Sequence, residues 1–94
     1  MHAIMVTLDM DAGRADEAVA MLSEMVVPMV KSLPGFRGGY WMRSDDHTRG
    51  VALELYESRA AAETALRDRP APPPGANLPW TLASAEIVEL AASA

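Results

Sequence analysis

Hydrophobic positions along the chain alternate between two periods. From Ala3 to Leu8 the residues are apolar or β-branched with no breaker, and Asp9 to Gly13 follow with turn chemistry, which predicts a first strand. Ala15, Ala18, Val19, Leu22, Met25, Val26, Met29, Val30 and Leu33 then recur at spacings of three and four, while Arg14, Asp16, Glu17, Glu24 and Lys31 fall mostly on the other side. That spacing predicts an amphipathic helix with one apolar stripe. Pro28 removes a backbone donor and crowds the turn before it, so a kink or a weakened last turn is expected there, and Pro34-Gly35 ends the helix. Two strand-like runs come next, Gly39 to Arg43 and Gly50 to Glu57, joined by the turn-rich Ser44 to Arg49 as a hairpin. Ser58 is a competent N-cap for a short helix over Arg59 to Arg67, which Pro70 terminates. Pro70 to Pro79 holds five prolines and reads as an irregular connector. Thr81 to Leu90 supplies the last strand, and Ala91 to Ala94 a frayed tail.

The order strand, helix, strand, strand, helix, strand predicts an α+β fold of ferredoxin-like βαββαβ type, with a four-stranded antiparallel sheet and both helices on one face. Residues 1–94 are expected to form one such domain. In the first strand one side carries Ile4, Val6 and Leu8 and the other Ala3, Met5 and Thr7; in the third, Val51, Leu53 and Leu55 oppose Ala52, Glu54 and Tyr56. Neither side is polar enough for a face left in water. The helix-free face, to which Met5 and Ala52 are assigned, is therefore expected to pack on a second copy of the chain as a homodimer. The face taken by Trp41 stays open at this stage, because a one-residue shift in register reverses every side chain of a strand.

Charge and composition narrow the partners. The net charge of −5, with no Lys/Arg cluster to offset it, argues against nucleic acid and anionic membrane surfaces. No apolar run approaches the roughly 20 residues that span a bilayer. The absence of cysteine removes disulfides, thiolate nucleophiles and thiolate metal sites, and fits a cytoplasmic protein. His2 and His47 are the only histidines and have no second ligand at helical or strand spacing, so no metal site is expected. Asp45-Asp46-His47 reads as hairpin-loop chemistry. The glycines form no phosphate-binding fingerprint, and no cofactor is expected.

Val27-Pro28-Met29-Val30-Lys31-Ser32-Leu33-Pro34-Gly35-Phe36, then Gly39-Tyr40-Trp41, resembles the antibiotic biosynthesis monooxygenase-like proteins of the dimeric α/β-barrel superfamily. Leu53-Glu54-Leu55-Tyr56-Glu57-Ser58 is similar to that family's third strand, where Tyr56 stands in place of a frequent tryptophan. The resemblance implies two sheets packed face to face as a barrel, with a pocket in each subunit between sheet and helices. It also implies a choice of chemistries, among them oxidation of polycyclic phenols by molecular oxygen without a cofactor, haem degradation and lactone isomerisation. Haem-degrading relatives need an asparagine on the first strand and a histidine at the second helix; this chain has neither, and haem degradation is set aside.

Within that frame Tyr56 and Arg43 are the catalytic candidates, as stabilisers of a substrate anion, and Trp41, Thr7, Glu54 and Met25 the substrate-binding ones. Glu54 and Arg43, on neighbouring strands, are expected to pair if both are buried, as a structural ion pair in preference to a functional one. Met25, with Met21 and Met29, lies on or beside the helical stripe, where thioethers fill a core or line a pocket. No hydroxyl has a histidine at a nucleophile-activating spacing. Two expectations follow: cofactor-independent oxidation of a small phenolic aromatic, or a non-catalytic dimer that binds a small molecule or only assembles.

Overall fold

The computed structural model describes residues 1–69 and 74–94. Its strands are β1 (His2–Met10), β2 (Phe36–Arg43), β3 (Arg49–Tyr56) and β4 (Trp80–Glu89), joined in one antiparallel sheet of order β2-β3-β1-β4. The helices are α1 (Ala15–Met21), a π-helical turn over Leu22–Val26, α2 (Val27–Lys31) and α3 (Arg59–Arg67). This is the ferredoxin-like arrangement that the element order predicts. The second strand begins at Phe36, ahead of the expected Gly39, across an irregular register between Phe36 and Gly38.

The first helix departs from its expected form in an instructive way. Where the kink or weakened last turn is expected, the chain widens into the π-turn just before Pro28, and the Val27 N–H donates to Leu22 O. Proline has no N–H for a carbonyl one α-turn back, and its ring crowds that carbonyl. The π-turn inserts one residue, so everything beyond it is rotated by roughly 100°, one residue's step in an α-helix. In an unbroken α-helix Val30 would lie roughly 120° around from Ala18. After the insertion both face the sheet, and both are fully buried. Met25, inside the widened turn, is turned outward and 62% exposed.

Gly35 makes the next reversal possible. It sits at φ 80°, a left-handed conformation, and a Cβ there would come within 2.7 Å of Ala61 Cβ. Its carbonyl accepts from the Glu57 N–H at 2.9 Å, which fastens the helix exit to the start of α3. Ser58 caps α3 as expected, its hydroxyl accepting from the Ala61 N–H at 3.1 Å.

Cross-strand register assigns the two faces. Ile4 lies opposite Glu54 and Ile87, Val6 opposite Ala52 and Ala85, and Trp41 opposite Ala52. These residues look toward the helices: Ile4, Val6, Ala52 and Tyr56 form the buried core with Ala62 and Ala65 of α3. Ala52 therefore belongs to the helix side, a correction to its assignment with Met5. Alternation alone separates a strand's two faces without saying which one the helices cover. The opposite face joins Met5 to Leu53 and Thr7 to Val51, with Tyr40 opposite Leu53 and Met42 opposite Val51. Tyr40 and Met42 are 63% and 51% exposed on this face. No helix of the described residues is long and apolar enough to cross a membrane.

Candidate functional site

Between the first helix and the sheet lies a cavity of about 430 Å³. Its floor comes from β1, β2 and β3 through Leu8, Met10, Trp41, Arg43, Gly50 and Ala52. Its roof is Val19, Leu22, Ser23 and Val27, so the π-turn forms part of the wall, and Trp80 at the start of β4 closes one side. The volume falls in the range of about 300–1,000 Å³ that small-molecule sites occupy. Both tryptophans of the chain line it.

Trp41 owes its position to Gly39, two residues earlier on the same face of β2. A Cβ at Gly39 would come within 2.8 Å of the Trp41 ring and 3.3 Å of Leu53 O, so the indole lies back over the glycine. Arg43, two residues beyond Trp41, pairs with Gly50 and is exposed at the cavity edge. Among the described residues five of the eight cationic side chains form salt bridges: Arg14, Arg37, Arg59, Arg67 and Arg69. Arg43 is not one of them. The expected Glu54–Arg43 pair is thus corrected.

Glu54 pairs instead with Arg69, just past α3, and the same carboxylate oxygen accepts from the Tyr56 hydroxyl at 3.2 Å. Glu54 is 1% exposed and Tyr56 fully buried, with Phe36 set edge-on to the phenol ring at a centroid distance of 5.9 Å. Burial, reinforced by the Glu54 charge, pushes the Tyr56 hydroxyl up to about 12. At neutral pH this phenol is a committed donor.

The structure therefore divides the candidate residues. Trp41 and Arg43 meet in the cavity. Tyr56 and Glu54 share the helix side of the sheet but belong to the core cluster with Arg69, outside the cavity lining. Arg43 is level with Gly50 on β3, and Tyr56 stands six residues along that strand, roughly 20 Å at about 3.3 Å per residue. The two cannot act together on one substrate atom in this arrangement. Thr7 lies on the opposite face, and Met25 is turned out to solvent. Sequence reasoning missed Trp80, Ser23 and Arg69; the first carried a signal, as a lone large aromatic leading from the proline-rich connector into the last strand.

Among the described residues no His, Asp or Glu lines the cavity, and no cluster of three or more His, Cys, Asp or Glu could bind a metal. Asp46 is occupied in the hairpin loop, accepting from the Ser44 hydroxyl, the Thr48 hydroxyl and the Thr48 N–H at 2.7, 2.7 and 3.0 Å. Those bonds, the Thr48 hydroxyl first, hold its carboxyl down at about 2.

A sheet with helices on one face and a largely apolar cavity between them defines a small α+β protein of the ferredoxin-like class. Residues 1–69 match the antibiotic biosynthesis monooxygenase family, and the chain belongs to it. No curated protein matches it in sequence. Several solved structures share the fold. HapK from Hahella chejuensis is 13% identical, with a TM-score of 0.68 over 100% of this chain and 96% of that one. A monooxygenase from the ActVA-Orf6 gene of Streptomyces coelicolor, solved with the ligand nanaomycin D, is 21% identical, with a TM-score of 0.63 over 99% and 89%. Rv0793 from Mycobacterium tuberculosis is 21% identical, with a TM-score of 0.60 over 100% and 99%.

Proposed function

We propose that the chain, as one domain over residues 1–94, is a cofactor-independent monooxygenase that oxidises a small phenolic aromatic in the helix-side cavity. The observation that carries this is the cavity lining, two tryptophans with the unpaired Arg43 guanidinium at its edge. An electron-rich ring is itself the reductant in such chemistry. For an anthrone-type substrate, the ring CH₂ gives up two hydrogens and takes one atom of O₂ as a carbonyl oxygen; the other oxygen leaves with those hydrogens as water. No outside electron donor is needed. The first step is loss of a proton to solvent water at the open edge of the cavity, which gives the substrate anion. Arg43, at the cavity edge, stabilises that anion, and Trp41 and Trp80 hold the ring against the apolar walls. The Glu54–Tyr56–Arg69 cluster fixes the sheet beneath α3 and acts on the site only through packing. The monooxygenase from Streptomyces coelicolor, with its bound nanaomycin D, supports an aromatic ligand by analogy of fold.

A specific observation favours a second reading, a binding protein without chemistry: among the described residues no carboxylate or imidazole lines the cavity to take the substrate's proton. Incubation with an anthrone under ¹⁸O₂ and a chelator separates the two. The enzyme reading expects product carrying one ¹⁸O atom; saturable binding with no product supports the second. In either case the apolar helix-free face, with Met5, Leu53 and Met42, is covered by a second copy in a homodimer. A cytoplasmic location accords with the composition.

A further inference from the structure

We propose that the cavity selects its aromatic ligand by charge, taking a planar ring that carries an anionic group, a carboxylate or an ionised phenol, in preference to the neutral isostere. This deepens the substrate assignment above and rests on the same site, but it concerns binding alone. Three observations converge on it. Among the described residues Arg43 is the only charged side chain that lines the cavity, against a lining otherwise apolar except for Ser23 and the two indole N–H groups. The structure gives this arginine no acidic partner among the described residues, although acidic residues outnumber basic ones by 13 to 8 and five of the other arginines are paired. In the hairpin loop that follows Arg43, the Asp46 carboxylate is taken up by Ser44 and Thr48.

A guanidinium carries five donors in a planar fork that matches a carboxylate or phenolate, and apolar walls beside it raise the strength of such a bond. A neutral amide oxygen can still accept one hydrogen bond from the fork, but it brings neither the charge nor the second equivalent oxygen of a carboxylate. In a protein of net charge −5, an anion gains nothing from the overall field, so any preference for it has to be local. Arg49 provides the control: it is also unpaired among the described residues, yet it lies opposite Asp9 in the sheet and outside the cavity lining.

The test compares 2-naphthoate with 2-naphthamide, two ligands of nearly equal shape, by calorimetric titration of the intact protein at neutral pH. Quenching of tryptophan emission reports the place of binding, since both tryptophans line the cavity. The naphthoate is expected to bind about tenfold or more tightly than the amide, a difference of about 1.4 kcal/mol. Arg43→Met should bring the ratio to near unity with the circular dichroism spectrum intact, and Arg49→Met, which removes the same charge elsewhere, should preserve it. Equal affinities in the wild type overturn the proposal, as does a preference that survives Arg43→Met or disappears equally in Arg49→Met. Because no oxygen chemistry enters the assay, a failed oxidation assay leaves this result standing, and a failed selectivity leaves the oxidation assay to be judged separately.

Discussion

Arg69→Met should destabilise the protein severely even though Arg69 lies on no strand and in no cavity. Its partner Glu54 is 1% exposed, and the Arg69 side chain itself is 24% exposed. Removing the arginine leaves a carboxylate buried with only the Tyr56 hydroxyl for a donor. Breaking a buried ion pair from one side costs about 3–5 kcal/mol, and the partial exposure of Arg69 puts this case near the lower end, about 3 kcal/mol. For a chain this size that corresponds to a fall in Tm of roughly 12–24 °C. The loss is chiefly the stranded charge, so Glu54→Gln together with Arg69→Met should recover most of it: the amide oxygen still accepts from Tyr56 and no charge is buried. Urea unfolding at fixed protein concentration, followed through Trp41 and Trp80, gives all three stabilities. A single variant within about 0.5 kcal/mol of wild type, the ordinary range for surface changes, would refute the buried-pair argument. So would a double variant no more stable than the single one.

The π-turn makes Val30 a core residue and Met25 a surface one, so Val30→Ala should cost about 1.5–3 kcal/mol and Met25→Ala less than about 0.5 kcal/mol in the same unfolding assay. Tyr56 has a folded-state pKa raised from 10.0 to about 12, so its contribution to stability is complete below pH 10 and is lost as the pH rises toward 12. With Tyr40→Phe leaving Tyr56 as the only tyrosine, absorbance at 295 nm should show no phenolate until well above pH 10. Met5→Asp, on the open face opposite Leu53, should convert a dimer to monomer in sedimentation, whereas a wild-type monomer at micromolar concentration would remove the basis for the expected assembly.

What the sequence made legible was whatever depends on local period. Alternation in β1 and β3 gave the two faces, the Ser58 cap and Pro34-Gly35 gave the helix limits, and the element order gave the topology. The features it concealed depend on contacts distant in the chain. Arg69 reaches Glu54 across 15 positions, and Arg14 clamps Asn77 and Leu78 across more than 60, so no spacing rule announces either. The apolar stripe of the first helix was equally consistent with a regular helix, and only the packing of both Ala18 and Val30 on one sheet exposes the inserted residue. Thr7 and Tyr56 looked like partners for Trp41 because each carries a hydroxyl near the strand centres or ends. Register then put Thr7 on the other face and Tyr56 far along β3. The connector from Pro70 to Pro79 lies partly outside the described residues, and its described part, from Pro74, has a turn and no helix or strand, as expected.

Steady-state oxygen consumption on a reduced polycyclic phenol, in the presence of a chelator, tests the central claim most directly when wild type, Arg43→Met and Tyr56→Phe are run side by side. The cavity account predicts turnover by the wild type, a fall in kcat/KM of about tenfold or more in Arg43→Met, equal to about 1.4 kcal/mol of lost transition-state stabilisation, and near-wild-type rates in Tyr56→Phe. No oxygen uptake by the wild type, or turnover that survives Arg43→Met and collapses in Tyr56→Phe, would contradict it.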